Sequence, residues 1–555
     1  MKGGYRMDNQ QQGKKSTWKF MDYDLPKWFK LPNPNVRGYF SRVKQGQPDV
    51  YTTPWVKGET NEEKLANFKS IVDEWYARLS SLEDKWPSLY AYEKDQYAKV
   101  GPMSVQKPLE ERMDDICAYY EGVLLPAEPL SQEAISAVLD EFKGIRGIRL
   151  RSPQNTWRMM KKSTSSGTPF YKKKRLLSPN EIFMYDGVCE EGRGVIAIQY
   201  HKGGKVWPVS AMLGWRGQEG GSDVDDTKQR VVWMFPTAVN VEELRLYQPL
   251  IEACQAKELV PAWVSMELVD DRITRLFDTK GPDDLVVCTD FTKFDQHFNS
   301  VCQDAAKQIL SALLSDGEEW LRNIFPIKYN IPLLCSDEMR TVGPHGMGSG
   351  SGGTNADETL LHRALQHEAA LKHHQVLNPN SMCLGDDGIL SYPGITAKDV
   401  TEVYSAHGLD MNPEKQEESA QFCTYLRRWH HVDYRVDGVC VGVYSTMRAL
   451  GRLCMQERYY DPEDWGPKMV ALRELSILEN CKWHPLKEEF VKFCMNKDKF
   501  RLGLDIPGFL DNVAAEAKKA MDLMPDFLGY TKSLNKDASK GIDSWWIVNY
   551  LRSLK

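Results

Sequence analysis

The feature that most constrains this chain is a pair of acidic segments almost a hundred residues apart, each set against apolar runs. The first, "DDLVVCTDFTKFDQHF" (Asp283–Phe298), opens with the apolar, partly β-branched run Leu285–Thr289. That pattern predicts a buried strand. It ends on Asp290, and Asp295 follows beyond FTKF. A carboxylate at the end of a buried strand is costly unless a metal ion, an Arg or an open strand end relieves it. The second segment is "MCLGDDGILSY" (Met382–Tyr392), with Asp386 and Asp387 between two glycines. Gly and Asp are tight-turn residues, so a hairpin is expected, with Met382–Leu384 and Ile389–Tyr392 as its strands. Taken alone, the local pattern favours a polar turn tip over half of a metal site, and only partners elsewhere in the chain can decide.

Between the two acidic segments, "GPHGMGSGSGGTN" runs into a helical pattern. Leu360, Leu361, Ala364, Leu365, Ala369 and Leu371 form its apolar stripe. Asn355 and Glu358 have the spacing of a capping box. Gly348-x-Gly350-x-x-Gly353 formally matches a dinucleotide fingerprint, but no βαβ unit with a downstream acid surrounds it. The competing reading is a loop whose glycines let the backbone approach a nucleotide closely. No G-x4-G-K-[ST] loop occurs. His362, His367, His373 and His374 are expected on a solvated face, because no metalloprotease-type motif accompanies them.

At 555 residues the chain should hold about three subdomains around a large core. Its formal charge of −6 means that any polyanion site must be a local patch. One such patch is Lys143–Arg175, with eleven Lys or Arg and no Asp or Glu. Trp157, Phe170 and Tyr171 are interleaved with it, which suits a groove that tracks a nucleic-acid backbone; a solvated face is the alternative. Lys228 and Arg230 would point the same way in an extended segment. Asn61–Leu82 reads as an amphipathic helix after the cap-like Thr60, and Pro102–Pro129 reads as connecting structure. Twelve cysteines without a C-x-x-C fit a reduced protein with no zinc knuckle. The first ~17 residues are polar, should fray and lack a signal-peptide core. No run approaches ~18 apolar residues, so no membrane span is expected.

Taken in order, these elements resemble the viral RNA-dependent RNA polymerases. Asp290-x4-Asp295 is similar to their motif A, Ser349-Gly350-x-x-x-Thr354 to motif B, and Gly385-Asp386-Asp387 to motif C. Thr164-Ser165-Ser166-Gly167-Thr168-Pro169 resembles the template-guiding motif G. Lys228-x-Arg230 resembles the end of motif F, with Arg216 as an earlier member. Gly408–Lys415 resembles motif D, and Tyr425-Leu-Arg-Arg428 the primer-grip motif E. DFTKFDQHFN with SGSGGTN is most similar to picobirnavirus enzymes, with partitivirus enzymes next.

The resemblance implies an α+β right-hand fold of fingers, palm and thumb in a closed cage, the palm built on an antiparallel sheet with flanking helices. It implies an N-terminal extension at 1–105 bridging fingers and thumb, fingers at 106–262, and palm at 263–304. A fingers insertion at 305–340, further palm at 341–435, and thumb with tail at 436–555 complete the division. The implied activity is template-directed RNA synthesis from NTPs, replicating and transcribing a double-stranded RNA genome. Two ions, Mg2+ or Mn2+, would be held by Asp290 and Asp386, with Asp387 assisting; oxygen ligands suit such ions. Lys228, Arg230 and Arg216 would meet the triphosphate, and Lys415 would protonate the departing pyrophosphate. Asp295, with Ser349, Gly350 and Thr354, would line the nucleotide site, Asp295 sensing the 2′-hydroxyl. Ser165–Pro169, Lys172 and Lys173 would guide the template, and Arg427 and Arg428 would grip the nascent strand.

The chain departs from the resemblance at Glu358, where many relatives have an Asn that helps read the 2′-hydroxyl. Template and product RNA and NTPs are the expected partners, with a capsid protein as a further one and no membrane. Virion interior and host cytoplasm are the expected locations. Two other readings compete: a non-enzymatic RNA-packaging protein using the basic patch, and a dinucleotide enzyme built on the glycine loop. For the tail Leu534–Lys555, two placements are open. Trp545, Trp546 and Tyr550 could offer a stacking platform at the active site, or the tail could pack on the thumb.

Overall fold

The computed structural model describes residues 19–22, 35–200, 206–461, 463–521 and 538–555. The polar first seventeen residues and the start of the tail at 534–537 lie outside them. Helix α1 (Asn61–Ala77) begins at Thr60, which makes a capping box with Glu63. This satisfies two otherwise orphaned N–H groups. α1 buries Phe68, Ile71, Val72 and Trp75. Helix α2 (Pro87–Lys99) follows, with Pro87 in its first turn where a missing N–H costs nothing. Both helices share one hydrophobic core with residues from Trp429 to Leu551, so the two ends of the chain pack as one body.

Pro102–Pro129 is more than a connection. It contains the helix Met113–Glu121, whose Met113, Ile116, Tyr119 and Tyr120 enter the main core. Its prolines flank that helix and leave its interior free. Strands β1 (Ala211–Gln218) and β2 (Lys228–Met234) then form a long antiparallel hairpin within a five-stranded sheet. Helix α3 (Thr237–Ala256) follows directly.

The central sheet has four strands. β3 (Val286–Thr289) is fully buried, as the apolar run predicts. Helix α4 (Thr354–Lys372) packs against the sheet, and β4 (Met382–Leu384), β5 (Asp387–Leu390) and β6 (Glu417–Ser419) complete it. The order is β4-β5-β3-β6, antiparallel throughout. The hairpin turn is tighter than expected. Leu384 pairs with Asp387, leaving Gly385 and Asp386 as a two-residue turn, with Gly385 at φ 58°. Such turns require left-handed backbone, which glycine supplies.

Two expectations for α4 fail. The helix starts at Thr354 on Gly353, with no side-chain cap. Asn355 instead accepts the Trp263 indole N–H at 2.8 Å, and Glu358 is buried. The histidines do not share a solvated face either. His362 is fully buried with Nδ1 2.8 Å from the Gly385 carbonyl oxygen, and His367 Nε2 sits 2.7 Å from Glu141. α4 is enclosed around most of its circumference, so its polar residues pair inside the protein.

β7 (Phe422–Tyr425) and β8 (Arg428–His431) form a second hairpin beside the sheet. The helices that follow include α5 (Thr446–Cys454), α6 (Pro467–Glu479) and α7 (Trp546–Ser553). α7 buries Ile547, Val548 and Leu551. The Glu479 carboxylate on α6 accepts the Trp546 and Ile547 N–H groups at 3.2 and 3.0 Å. A carboxylate at a helix N-terminus is favourable. The described end of the tail is therefore held on α6, the thumb-packed placement, and not over the central sheet.

Candidate active site

β3 and β5 are paired so that Thr289 faces Gly388. Asp290, one residue beyond β3, therefore comes up beside the turn that carries Asp386. Both residues are exposed, yet neighbouring protein takes part of their solvation away. Burial and the charge of Asp386 raise the Asp290 pKa. For Asp386, burial and Asp295 do the same. Burial and Asp386 push Asp387 up to about 7. Three carboxylates that each resist ionisation define a place where a cation would be strongly favoured. Asp387 has a further partner, since its Oδ2 accepts the Leu426 N–H at 2.9 Å.

Facing these acids is a group of cations. On β1 and β2, Arg216 lies opposite Arg230 and Gln218 opposite Lys228, so all four side chains share one sheet face. Burial lowers the Lys228 pKa, and Lys99, Arg230 and Arg427 lower it further. Lys99, from α2, also acts on Asp290. Sequence reasoning missed Lys99, because nothing local to α2 signals that the helix reaches a site built two hundred residues later. Arg216 is held by Glu457, with Nε and Nη2 at 3.1 and 3.2 Å from its carboxylate.

The glycine loop lies along β2. The Trp233 N–H donates to the Ser349 carbonyl oxygen at 2.8 Å, and Ser349 Oγ donates to the Val231 carbonyl oxygen at 3.2 Å. Gly350 has φ 132°, and a Cβ there would overlap the Trp233 carbonyl oxygen. The Thr354 hydroxyl donates to the Ser351 carbonyl oxygen at 3.3 Å. Below the loop, Glu243 of α3 accepts from Ser351 Oγ, and from the Gly352 N–H at 3.2 Å. Asp357 is buried with Lys328 Nζ at 3.1 Å and takes both the Tyr247 and Tyr329 hydroxyls at 2.7 Å. Asp295 and Glu358 are hydrogen-bonded to each other. Burial and Asp295 push Glu358 well above the carboxylate range, and burial raises Asp295 as well.

The remaining candidates are spread around this centre. Lys415 ends a short 3-10 turn, Pro413–Lys415, and its charge reaches Asp290. Ser166 and Thr168 are buried, and the Thr168 hydroxyl donates to the Ser210 carbonyl oxygen at 2.7 Å. Gly167 abuts the Phe235 carbonyl, and Ser165 Oγ accepts the Gly167 N–H at 3.2 Å. The Thr164–Pro169 loop is thus fastened where β2 meets α3. Lys172 pairs with Glu181 at 2.8 Å, while Lys173 is exposed. Arg427 sits in the two-residue β7–β8 turn with φ 61°, near the acids. Arg428 is not brought to this cluster; it turns toward Asn480, 3.4 Å away, and Asp270.

A central antiparallel sheet carrying paired acids at its strand ends, faced by a cationic hairpin and backed by a helical C-terminal region, defines a right-hand nucleic-acid polymerase. Residues 61–435 match the viral RNA-dependent RNA polymerase family. The chain is 59% identical, over 539 residues, to a protein of human picobirnavirus (strain Human/Thailand/Hy005102/-) described as a potential RNA-dependent RNA polymerase. That match covers 95% of this chain and 98% of the relative. The crystal structure of the RNA-dependent RNA polymerase of a human picobirnavirus superposes with a TM-score of 0.88 at 57% identity, covering 96% of this chain and all of that one. The crystal structure of an insertion loop deletion mutant of such an enzyme matches with the same TM-score at 56% identity, over 96% of this chain and all of that one. The chain belongs to the viral RNA-dependent RNA polymerases, and among them to the picobirnavirus enzymes. With that membership the packaging-protein and dinucleotide readings fall away. Among the described residues no helix is long and apolar enough to cross a membrane.

Proposed function

We propose that this polymerase replicates and transcribes a double-stranded RNA genome by two-metal-ion nucleotidyl transfer. One observation carries the reading: Asp290, Asp386 and Asp387 meet at two strand ends, each with a raised proton affinity, opposite Lys228 and Arg230. Their oxygens are the hard ligands that suit Mg2+ or Mn2+. Among the described residues no three His, Cys, Asp or Glu side chains close a cage of their own. An ion held by one or two carboxylates completes its shell with water and substrate phosphate. Bound there, such ions lower the pKa of the primer 3′-hydroxyl and neutralise charge on the reacting phosphate.

Asp290 and Asp386 are the proposed metal ligands. Asp387, tied to Leu426, stands behind them as a support. Lys228 and Arg230 receive the triphosphate, helped by Arg216 once it exchanges Glu457 for phosphate. Lys415 donates a proton to the leaving pyrophosphate. Asp295, beside Glu358, accepts the ribose 2′-hydroxyl, and Ser349, Gly350 and Thr354 shape the pocket beside it. Lys172, Lys173 and the Ser165–Pro169 loop guide the template, with Ser166 and Thr168 building the loop from inside. Arg427 holds the nascent backbone, and Arg428 anchors the turn that presents it.

In this reading residues 1–105 bridge fingers and thumb, 106–262 and 305–340 form the fingers, and 263–304 and 341–435 form the palm. The thumb and tail occupy 436–555. The bridge rests on two sets of contacts. Its helices share the core of residues 429–551, and its end is hydrogen-bonded to the β1–β2 hairpin through Thr227 to Pro102 and Gln229 to Val105, at 3.2 and 2.9 Å. A capsid partner and action inside the virion and host cytoplasm belong to the same proposal.

The test is incorporation of labelled NTPs on an RNA template with Mg2+ or Mn2+. Asp386→Ala should abolish incorporation while RNA binding persists, and a chelator should stop the wild-type enzyme. Normal synthesis by the variant, or synthesis in excess chelator, would overturn the metal assignment.

A further inference from the structure

Asp290 lies one residue past the last ladder pair of β3, Thr289 with Gly388. A residue in that position loses its sheet partner, and its main chain needs another one to stay in place. Gln416 supplies it. The side-chain oxygen of Gln416 accepts the Asp290 N–H at 2.8 Å. Its amide nitrogen donates to the Asp290 carbonyl oxygen at 2.9 Å and to the Asn412 carbonyl oxygen at 2.9 Å. One carboxamide thus satisfies both main-chain groups of Asp290, as a strand neighbour would.

The same carboxamide reaches Lys415. The Lys415 N–H donates to the Asn412 carbonyl oxygen at 3.1 Å, so Lys415 and Gln416 share one acceptor. Asn412 is itself fixed, because its side chain accepts the Glu414 N–H at 3.0 Å. A second tie runs beside the first: the Thr292 N–H donates to the Asp410 carbonyl oxygen at 2.8 Å. The Asp290 main chain and the short Pro413–Lys415 turn are therefore one hydrogen-bonded unit, although 125 positions separate Asp290 from Lys415. Only a side chain with both a donor and an acceptor at this reach can make the link. Glu lacks the donors, Asn is shorter by a methylene, and Met has the length without the polar atoms.

We propose that Gln416 is a positioning residue that holds the Asp290 main chain and the Pro413–Lys415 turn in one fixed relation during nucleotide addition. The proposal rests on the reading of Lys415 as the pyrophosphate proton donor. Asp290 works at the start of the step and Lys415 at its end, so a shared frame keeps attack and departure in line.

Single-turnover incorporation by the full chain on a primed RNA template tests this, with Gln416→Met, Lys415→Met and the double variant compared with wild type. Gln416→Met should lower the maximal rate about ten- to a hundredfold, since small misplacements of reacting groups cost that much. Its NTP half-saturation and RNA binding should stay within about twofold of wild type. The double variant should lose less than the product of the two single losses. Deuterium exchange of the peptide containing Asp290 should rise in Gln416→Met and stay unchanged in Lys415→Met. A wild-type rate in Gln416→Met, or equal multiplicative losses in the double variant, would overturn the coupling. A wild-type rate in Lys415→Met would instead remove the proton-donor reading, and slow Gln416→Met would then stand as positioning of Asp290 alone.

Discussion

The Asp387 carboxylate accepts the main-chain N–H of Leu426 at 2.9 Å, joining the first residue of β5 to the turn between β7 and β8. The adjacent Arg427 carbonyl oxygen takes the Tyr92 hydroxyl at 2.9 Å, so the second turn is held from both sides. Asp387→Leu should therefore do two things. It should cost about 1–3 kcal/mol of stability, the penalty for a lost charge-assisted bond. It should also loosen Arg427 and weaken retention of a primer–template duplex several-fold in filter binding. Asp386→Asn should leave that retention near wild type, which separates the two acids of the turn.

Gly350→Ala should be far more damaging than its size suggests. The new methyl would overlap the Trp233 carbonyl oxygen, and φ 132° is closed to alanine in any case. The loop must leave β2, so a loss of about 2 kcal/mol or more and a large fall in incorporation are expected. Thermal unfolding with a primer-extension assay checks both; Gly394→Ala is the control, since it has φ 76° and open space around it.

Lys328→Met should destabilise the fold by about 3–5 kcal/mol, because Asp357 keeps its burial and loses its cation. Adding Asp357→Asn should recover part of that loss, because the uncompensated charge is gone; the Asn oxygen can accept one tyrosine hydroxyl while its amide donates to the oxygen of the other. Chemical denaturation of the two variants measures the recovery.

Stability should fall as pH rises through neutrality, partly because of Glu93. Burial pushes this carboxyl up to about 7, outweighing the hydrogen bonds from Thr446 and Met447. Its folded pKa exceeds its unfolded one. The stabilisation is thus complete below the unfolded value near 4.5 and is lost as pH climbs through the folded one. Glu93→Gln removes that dependence while keeping the acceptor. The melting temperature of the variant minus that of wild type should increase from about pH 6 to about pH 8.5, by an amount worth about 1 kcal/mol. An unchanged difference would mean that Glu93 titrates normally.

The acidic strand ends were legible in the sequence because their signal is local: an apolar run, a glycine, a carboxylate. Asn61–Ala77 was legible for the same reason, with cap and stripe in one short window. Glu358 was misread as a cap because capping spacing is also local, whereas its real partner, Asp295, sits on a different element. His362 was expected in water because a helix with several histidines resembles a surface, and only the enclosure of α4 by the sheet decides otherwise. Lys99 and Gln416 were invisible. Lys99 acts through its charge and Gln416 through hydrogen bonds on a segment more than a hundred residues away, and composition carries no trace of either. The Pro102–Pro129 helix was hidden by the prolines that bound it.

The core that joins α1 and α2 to α5, α6 and α7 has a consequence for how the enzyme comes into being. The helices translated first have their packing partners among the residues translated last. Until those emerge from the ribosome, Phe68, Ile71, Val72 and Trp75 lack the α5, α6 and α7 side of that core. A chain cut short before residue 440 would carry every acid of the central sheet and still lack the far wall of its first helices.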